Sequence, residues 1–553
     1  MNLHLAPPGA NDATTADAAV LDESHLGNIN GALGTIAYGD TAARPGLSLK
    51  WKTLLAIVGP GLIVMAGDND AGAFSTYAQA GQNYGTHLLW TLLLLVPVLY
   101  VNQEMVLRLG AVSGVGHARL IFERFGKFWG AFSVIDLFIL NALTIVTEFI
   151  GISLAIGYLG LPKVPTVVIA TVAVIGAVST GSFRRFERLC LMLVAFSLLL
   201  VPLVLMVHPP AGQVARDSLV PSLPHGAPLS TVMLLVIGIV GTTVAPWQLF
   251  FQQSYVIDKR ITPRWINYER VDLVIGIVIV IVGGLAIMAM SAATFAGHPG
   301  FGNFTDAGGT AAGLSHYISR TVGDLFAIAL IDAAIIGAAA VGLSTAYATS
   351  DMLGLKHSLH RPVSQAKGFY ICYSLLMVLA ATLVLTPHVP LGLLTEGVQV
   401  LAGVLLPSAS VFLLLLCNDK AVLGPWVNSK KLNVLTGVIV GVLVLLSVVL
   451  TASVLFPHIT GGQIEAVLMG GVGVGLGVAT YLVVQARRNR DQVTVHDALA
   501  ETVRRDAWRM PALSRLERPV MSRQRKVGLL TLRGYLLIAF VLVIVKIVEV
   551  ALH

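Results

Sequence analysis

The chain has 553 residues, 56% of them hydrophobic and 12% charged, with a mean hydropathy of +0.81. Soluble domains carry about 25% charged residues, so the composition excludes a soluble multidomain protein and predicts a polytopic membrane protein. A net charge of +7 would hint at nucleic acid in a soluble chain. Here the Lys and Arg residues fall between apolar runs, where orientation in the bilayer accounts for them, and no nucleic-acid partner is expected. Cys190, Cys372 and Cys417 are scattered through the apolar runs and suggest neither a disulfide framework nor a metal cluster.

Residues 1–50 are rich in Ala, Gly, Asp, Asn and Thr, contain no apolar run, and read as a disordered tail. No signal-peptide core precedes Leu54. Apolar spans are then predicted at 53–82, 87–107, 131–159, 164–180, 189–207, 229–257, 271–295, 324–350, 368–386, 391–416, 432–456, 464–486 and 529–551. Each is near the roughly 20 residues that cross a bilayer. With the N-terminus placed in the cytoplasm, all Lys and Arg except Lys163, Arg216, Arg320 and Lys546 fall on the inner side. That asymmetry predicts a plasma or inner membrane protein with a cytoplasmic N-terminus. The expected divisions are the tail 1–50, a core of spans 1–10 over 51–431, and peripheral spans 11–13 over 432–553 with a basic cytoplasmic loop at 487–528.

The first span contains the most informative stretch, Gly59–Gly81, which reads GPGLIVMAGDNDAGAFSTYAQAG. Gly67, Asp68, Asn69, Asp70 and Gly72 interrupt a run otherwise apolar enough for lipid. One Asp at bilayer depth costs about 2.5–3.5 kcal/mol on insertion scales, and paired glycines weaken the helix around it. Unwound backbone at that depth is tolerated where it lines a cavity or is buried in protein. The expectation is a broken transmembrane helix with an acidic, carbonyl-rich gap. The alternative, a helix whose aspartates meet a buried cation, is weakened because no predicted span carries Lys or Arg near its middle.

A second break is predicted five spans later, in GTTVAPWQLFFQQS over Gly241–Ser254. Pro246 cannot donate a backbone hydrogen bond and clashes with the preceding turn. Alone this reads equally well as a simple kink. Interrupted helices at matching positions of two halves, however, mark the binding site of a secondary transporter. Spans 1–5 and 6–10 then become inverted repeats. Glu148 in the third span, Asp332 in the eighth and Gln399 in the tenth are polar groups at bilayer depth, each a functional candidate or a partner for a neighbouring helix.

The donors on offer are oxygens. Asp70 supplies an anionic one, unwound backbone near Gly67 and Thr242 supplies carbonyls, and Gln248 and Gln399 offer amides. No His or thioether lies at either break. Such a set suits hard divalent cations, Mg²⁺ keeping several of its waters. No GxxxxGK[ST] loop is present, so the chain reads as a secondary or passive transporter and not an enzyme or ATP-driven pump. No cofactor is expected.

With both breaks in hand, Leu54–Lys431 resembles the NRAMP divalent-metal transporter family. The family's Gly-Pro, DPGN and Gln-Ala-Gly elements correspond to Gly59-Pro60, Asp70-Ala71-Gly72-Ala73 and Gln79-Ala80-Gly81. Its MPHN corresponds to Ala245-Pro246-Trp247-Gln248, its tenth-helix Gln to Gln399, and its TDLAE to Thr144-Ile145-Val146-Thr147-Glu148. The resemblance implies an all-α LeuT-like fold with 5+5 inverted repeats, broken helices 1 and 6, and three extra C-terminal spans. It also implies a divalent-cation site with Asp70 as principal charge and carbonyls from Gly67 and Thr242. Gln248, Gln399 and Trp247 would line the cavity. The family's motif Asn is Ala73 here, its metal-binding Met is Ala245, and its His is Trp247. This pattern resembles the NRAMP-related magnesium transporters, which carry Mg²⁺ as well as Mn²⁺ without proton coupling. Asp68 is extra to the motif and reads either as added negative potential or as a contact to a neighbouring helix. Rival readings are a proton-coupled Mn²⁺/Fe²⁺ transporter, an organic-substrate transporter of the same fold, and a membrane sensor. The sequence sets no oligomeric state.

Overall fold

A computed structural model describes residues 23–224, 226–387, 391–455 and 460–488, with a few positions beyond, chiefly 508–516. The predicted thirteenth span and most of the loop 487–528 lie outside the described residues. The described chain is a helical bundle with one two-residue hairpin, β1 (Ile29–Asn30) against β2 (Thr35–Ile36). Its main helices are α1 Leu47–Ile57, α2 Pro60–Ala66, α3 Ala71–Tyr84, α4 Leu89–Ser113, α5 His117–Phe125, α6 Lys127–Tyr158, α7 Lys163–Val178, α8 Phe183–Phe196, α9 Leu200–Val207, α10 Ala211–Leu219, α11 Leu229–Thr243, α12 Pro246–Asp258, α13 Ile266–Phe295, α14 Ala307–Tyr317, α15 Arg320–Leu353, α16 Lys367–Leu385, α17 Leu391–Cys417, α18 Lys430–Leu455 and α19 Gly461–Arg488.

Nine helices among the described residues are long and apolar enough to cross a membrane, α11 and α12 together forming one of them; α1 and α2, bent by 54°, make a tenth if taken as one span. The predicted fourth span is a shorter helix, α7, of 16 residues. Large side chains such as Ile169, Val172, Val278 and Val434 are exposed on the outside of the bundle, as lipid-facing positions are. The interior holds α6 along α15, α11 along α17, and α13 along both α2 and α3. Small residues let these helices approach closely. A methyl at Gly403, for example, would lie 2.7 Å from the Ile237 carbonyl oxygen.

Two features differ from the sequence-based expectation. The first span is interrupted twice, at Val58–Gly59 as well as at Gly67–Asp70. Gly59 has φ +156°, a backbone state that side chains resist, and a Cβ there would lie 2.9 Å from Lys259 Nζ. Pro60 then starts α2 at the one helical position where a missing N–H costs nothing.

The other difference is the tail. Residues 1–22 of the expected disordered tail lie outside the described residues, and residues 23–46 form a strap over this end of the bundle. Arg188 donates to the Ala32 carbonyl at 2.9 Å, and Arg260 to the Ser24 carbonyl at 2.7 Å. Gly34 packs on Ala56 of α1. These are backbone contacts made by small residues, which leave no hydrophobic pattern to read.

A buried ionic knot holds the strap and the first span together. Lys259 Nζ pairs with Glu187 Oε1 at 2.6 Å, both side chains fully buried. Lys259 also donates to the Ile57 and Val58 carbonyls at 2.6 and 2.9 Å, capping the end of α1. Glu187 Oε2 accepts the Ala32 N–H at 2.5 Å. Asp272 Oδ2 accepts the N–H groups of Gly59, Gly61 and Leu62 at 3.2, 2.7 and 3.3 Å, capping α2. Removing one member of a buried pair strands the other and costs about 3–5 kcal/mol. Lys259→Met is therefore expected to lower the thermal midpoint of the detergent-solubilised protein clearly, and Lys259→Met with Glu187→Gln to recover part of the loss. An unchanged midpoint in the single variant would refute the assigned role of the knot.

Candidate cation site

Two gaps in the helical backbone face the middle of the bundle. At the first, α2 ends at Gly67 and α3 begins after Asp70, whose backbone is extended (φ −70°, ψ −176°). In an unbroken helix the N–H groups of Ala71 and Ala73 would bond the carbonyls of Gly67 and Asn69. Instead Ala71 N–H donates to Glu148 Oε2 at 3.0 Å, and Ala73 N–H to Asp70 Oδ1 at 2.8 Å. Among the described residues the Gly67 carbonyl accepts no hydrogen bond. At the second gap, between α11 and α12, the donor due to the Thr242 carbonyl is residue 246, a proline with no N–H. Each gap therefore frees a carbonyl, one through a carboxylate and the other through a proline.

The polar side chains of the prediction converge here, and all are buried. Asp70 caps α3. Glu148 comes from α6, and a methyl at Gly337 of α15 would touch both Glu148 Oε2, at 2.6 Å, and Asp70 Cβ, at 2.8 Å. Gln399 from α17 lies against Gly72, and a Cβ at Gly72 would also lie 3.2 Å from Asp70 Oδ1. The Gln399 Nε2 and Thr242 Oγ1 atoms have no hydrogen-bond partner among the described residues. Ala73 and Ala245 place only methyl groups at their positions, and Ala245 precedes Pro246 in extended conformation. Trp247 is almost fully buried beside Gly67, and its carbonyl accepts from Ser344 at 2.8 Å.

Asp68, left open by the sequence, faces the opposite gap. Its Oδ1 accepts from Gln248 Nε2, while Oδ2 has no partner among the described residues. Gln248 Oε1 in turn accepts from Gln103 Nε2 at 2.8 Å. Gln248 is thus committed at both ends of its amide, and ties the two gaps together. Sequence reasoning missed Gln103; its signal was an amide inside an apolar span, in VLYVNQEMVL. It also missed Gly337, whose lack of a side chain gives Glu148 room. Asp332 has two unpartnered carboxylate oxygens, but no contact brings it to these residues. Glu104 is structural, held by Arg108 at 3.1 Å and Arg270 at 2.6 Å.

No group of three or more His, Cys, Asp and Glu side chains is placed to hold a metal ion among the described residues. The donors that meet at the gap, on Asp70, Asp68 and the freed carbonyls, are all hard oxygen.

Two interrupted helices facing each other across a buried polar gap, inside a bundle of long apolar helices, are the architecture of a LeuT-like membrane transporter. Comparison with known proteins carries this further. The family profile described as Nramp, natural resistance-associated macrophage protein-like, matches residues 61–453, and the chain belongs to that family. The divalent metal cation transporter MntH of Ralstonia nicotianae is 30% identical over 71% of this chain and 89% of that protein. The MntH of Latilactobacillus sakei is 26% identical over 74% of this chain and 92% of its own length. Among solved structures, the manganese transporter of Eremococcus coleocola superposes with a TM-score of 0.61 at 22% identity, over 83% of this chain and 98% of that one.

Asp70→Ala removes the one carboxylate that both caps α3 and faces the gap. It is expected to abolish divalent-cation uptake in proteoliposomes while the protein remains monodisperse. Wild-type uptake by the folded variant would remove Asp70 from the site.

Proposed function

We propose that this protein carries divalent metal cations, Mg²⁺ as well as Mn²⁺, by alternating access and without proton coupling. It would sit in the plasma or inner membrane with its N-terminus in the cytoplasm, as the loop charges favour. Family membership supports the divalent cation as cargo. One observation supports the hard-ion reading above the others: alanine stands at 73 and at 245, beside freed carbonyls and carboxylates. A thioether at 245 would favour soft and borderline ions, and an amide at 73 would replace a water. With methyl groups there, the site offers only hard oxygens, and an ion keeps part of its hydration shell, as Mg²⁺ does in most protein sites. Burial of Asp68, Asp70 and Gln248 means the ion reaches the site by rearrangement of the helices around it.

Proton coupling is disfavoured because Trp247 and Ile145 stand where an ionisable pair would carry the proton. Glu148 beside Asp70 favours the second reading, a proton-coupled transition-metal transporter. Two measurements separate these. Millimolar Mg²⁺ is expected to compete with Mn²⁺ uptake and to enter liposomes itself, read with a fluorescent reporter. If Mg²⁺ neither competes nor enters, the hard-ion reading fails. An internal pH probe in the same liposomes is expected to stay flat during metal uptake; acidification in proportion to metal flux would establish coupling.

A further inference from the structure

We propose that Glu148 is a positioning residue for the transported cation: by holding the Ala71 N–H it keeps the Gly67 carbonyl free to face the ion. The inference rests on the functional reading above and assigns Glu148 a task other than carrying a proton or binding metal.

The argument is an account of backbone hydrogen bonds. Inside a bilayer every N–H and carbonyl finds a partner or a polar surrounding. After Gly67 the chain turns tightly, with Asp68 N–H to the Met65 carbonyl at 3.3 Å and Asn69 N–H to the Ala66 carbonyl at 3.3 Å. Regular bonding resumes at Phe74 N–H to the Asp70 carbonyl, 2.9 Å. Between these points Asp70 takes the Ala73 N–H through its own side chain, an ordinary N-cap. The Ala71 N–H lies outside that cap. It is the group that would return to the Gly67 carbonyl, four residues back, and Glu148 Oε2 takes it at 3.0 Å. The second gap reaches the same result because Pro246 has no N–H to return to Thr242. The extended Asp70 backbone turns the Ala71 N–H away from Gly67, and Glu148, a side chain on another helix, holds it there; at the second gap a proline removes the donor covalently.

The surroundings fit this task. The α6 backbone is close to α3: a Cβ at Gly151, one turn beyond Glu148, would run into Ala71. Gly337 leaves the space in which the Glu148 carboxylate sits. Asp70 and Thr147 are the side chains that face its carboxyl group, and Oε2 alone meets the Ala71 N–H, so one oxygen suffices for the contact. An amide oxygen can accept the same N–H with almost the same shape.

That last point gives the test. Full-length wild type, Glu148→Gln, Glu148→Ala and Gly337→Ala are purified, checked for monodispersity, reconstituted, and assayed for Mn²⁺ uptake, with Mn²⁺ binding measured by calorimetry. Loss of an orienting partner typically weakens metal affinity about 10–100-fold. Glu148→Ala is therefore expected to raise the KM and Kd for Mn²⁺ by at least about tenfold, with a smaller change in kcat. Glu148→Gln is expected to restore both to within about threefold of wild type. Gly337→Ala, whose methyl would press on Glu148 Oε2 and on Asp70 Cβ without altering charge, is expected to follow Glu148→Ala. If Gln is as damaging as Ala, the proton or the charge of Glu148 is what matters and the proposal is overturned. A Glu148→Ala protein with wild-type KM overturns it too. Should Glu148→Ala fail to fold, Gly337→Ala against Glu148→Gln decides: equal KM values overturn the proposal. A wild type that neither binds nor moves Mn²⁺ would instead defeat the functional reading, and the proposal with it.

Discussion

The need to satisfy every backbone polar group away from water is the constraint on which this structure depends. A helix meets that need internally, which is why nearly all of the described chain is helical. A transporter for a bare or partly hydrated cation needs the opposite: carbonyls without donors, at the centre of the protein. Two gaps reconcile these demands. Each removes a donor and leaves an acceptor, and each costs little because the displaced donor either does not exist, at Pro246, or finds a carboxylate, at Ala71. The gaps are then joined through Gln248, which links Asp68 to Gln103.

The knot at Gly59 is the same device used for a different end. There α1 and α2 also interrupt a helix, and again the freed groups are taken by side chains. Lys259 takes the carbonyls, and Asp272 takes the N–H groups. Because both ends are saturated, no acceptor is left over, and the break serves as a joint. The pieces on either side of it meet at 54°. Glu187 connects the joint to the strap through Ala32, so residues 23–46 and the first span are mechanically one unit in this conformation.

Legibility in the sequence followed how local the physics is. Both gaps of the site were readable because their causes are local: glycines and aspartates in a lipid-depth run, and a proline between two threonines and a tryptophan. Asp70 as the charge at the first gap was readable for the same reason, and its second task as cap was not read. The roles of Asp68, Gln248 and Glu148 were not, since each depends on which helix lies opposite; Gln248, expected to line the cavity, has both amide atoms taken by neighbours. The Val58–Gly59 joint was hidden because its stabilising groups, Glu187, Lys259 and Asp272, are far away in sequence. The strap was hidden because it docks through carbonyls and glycines, which carry no apolar signature.

Six of the buried carboxylates differ by the kind of partner they keep. Glu187 and Glu104 are matched by Lys259 and by Arg108 with Arg270. Asp272 caps α2 but lies within the field of Lys259. Their charge is spent within the protein. Asp68, Asp70 and Glu148 instead hold neutral donors, an amide and two backbone N–H groups, and the Asp70 and Glu148 carboxyl groups lie against each other. A neutral donor orients a carboxylate and offsets some of its desolvation without cancelling its charge. Pairing with Lys or Arg would have made the gap electrically quiet, and a divalent ion would then have had to displace a cation to bind. With neutral donors alone, no side-chain cation contacts these three carboxylates among the described residues. The choice of neutral over charged partners is therefore what sets the carboxylates at the gap apart from those that hold the protein together.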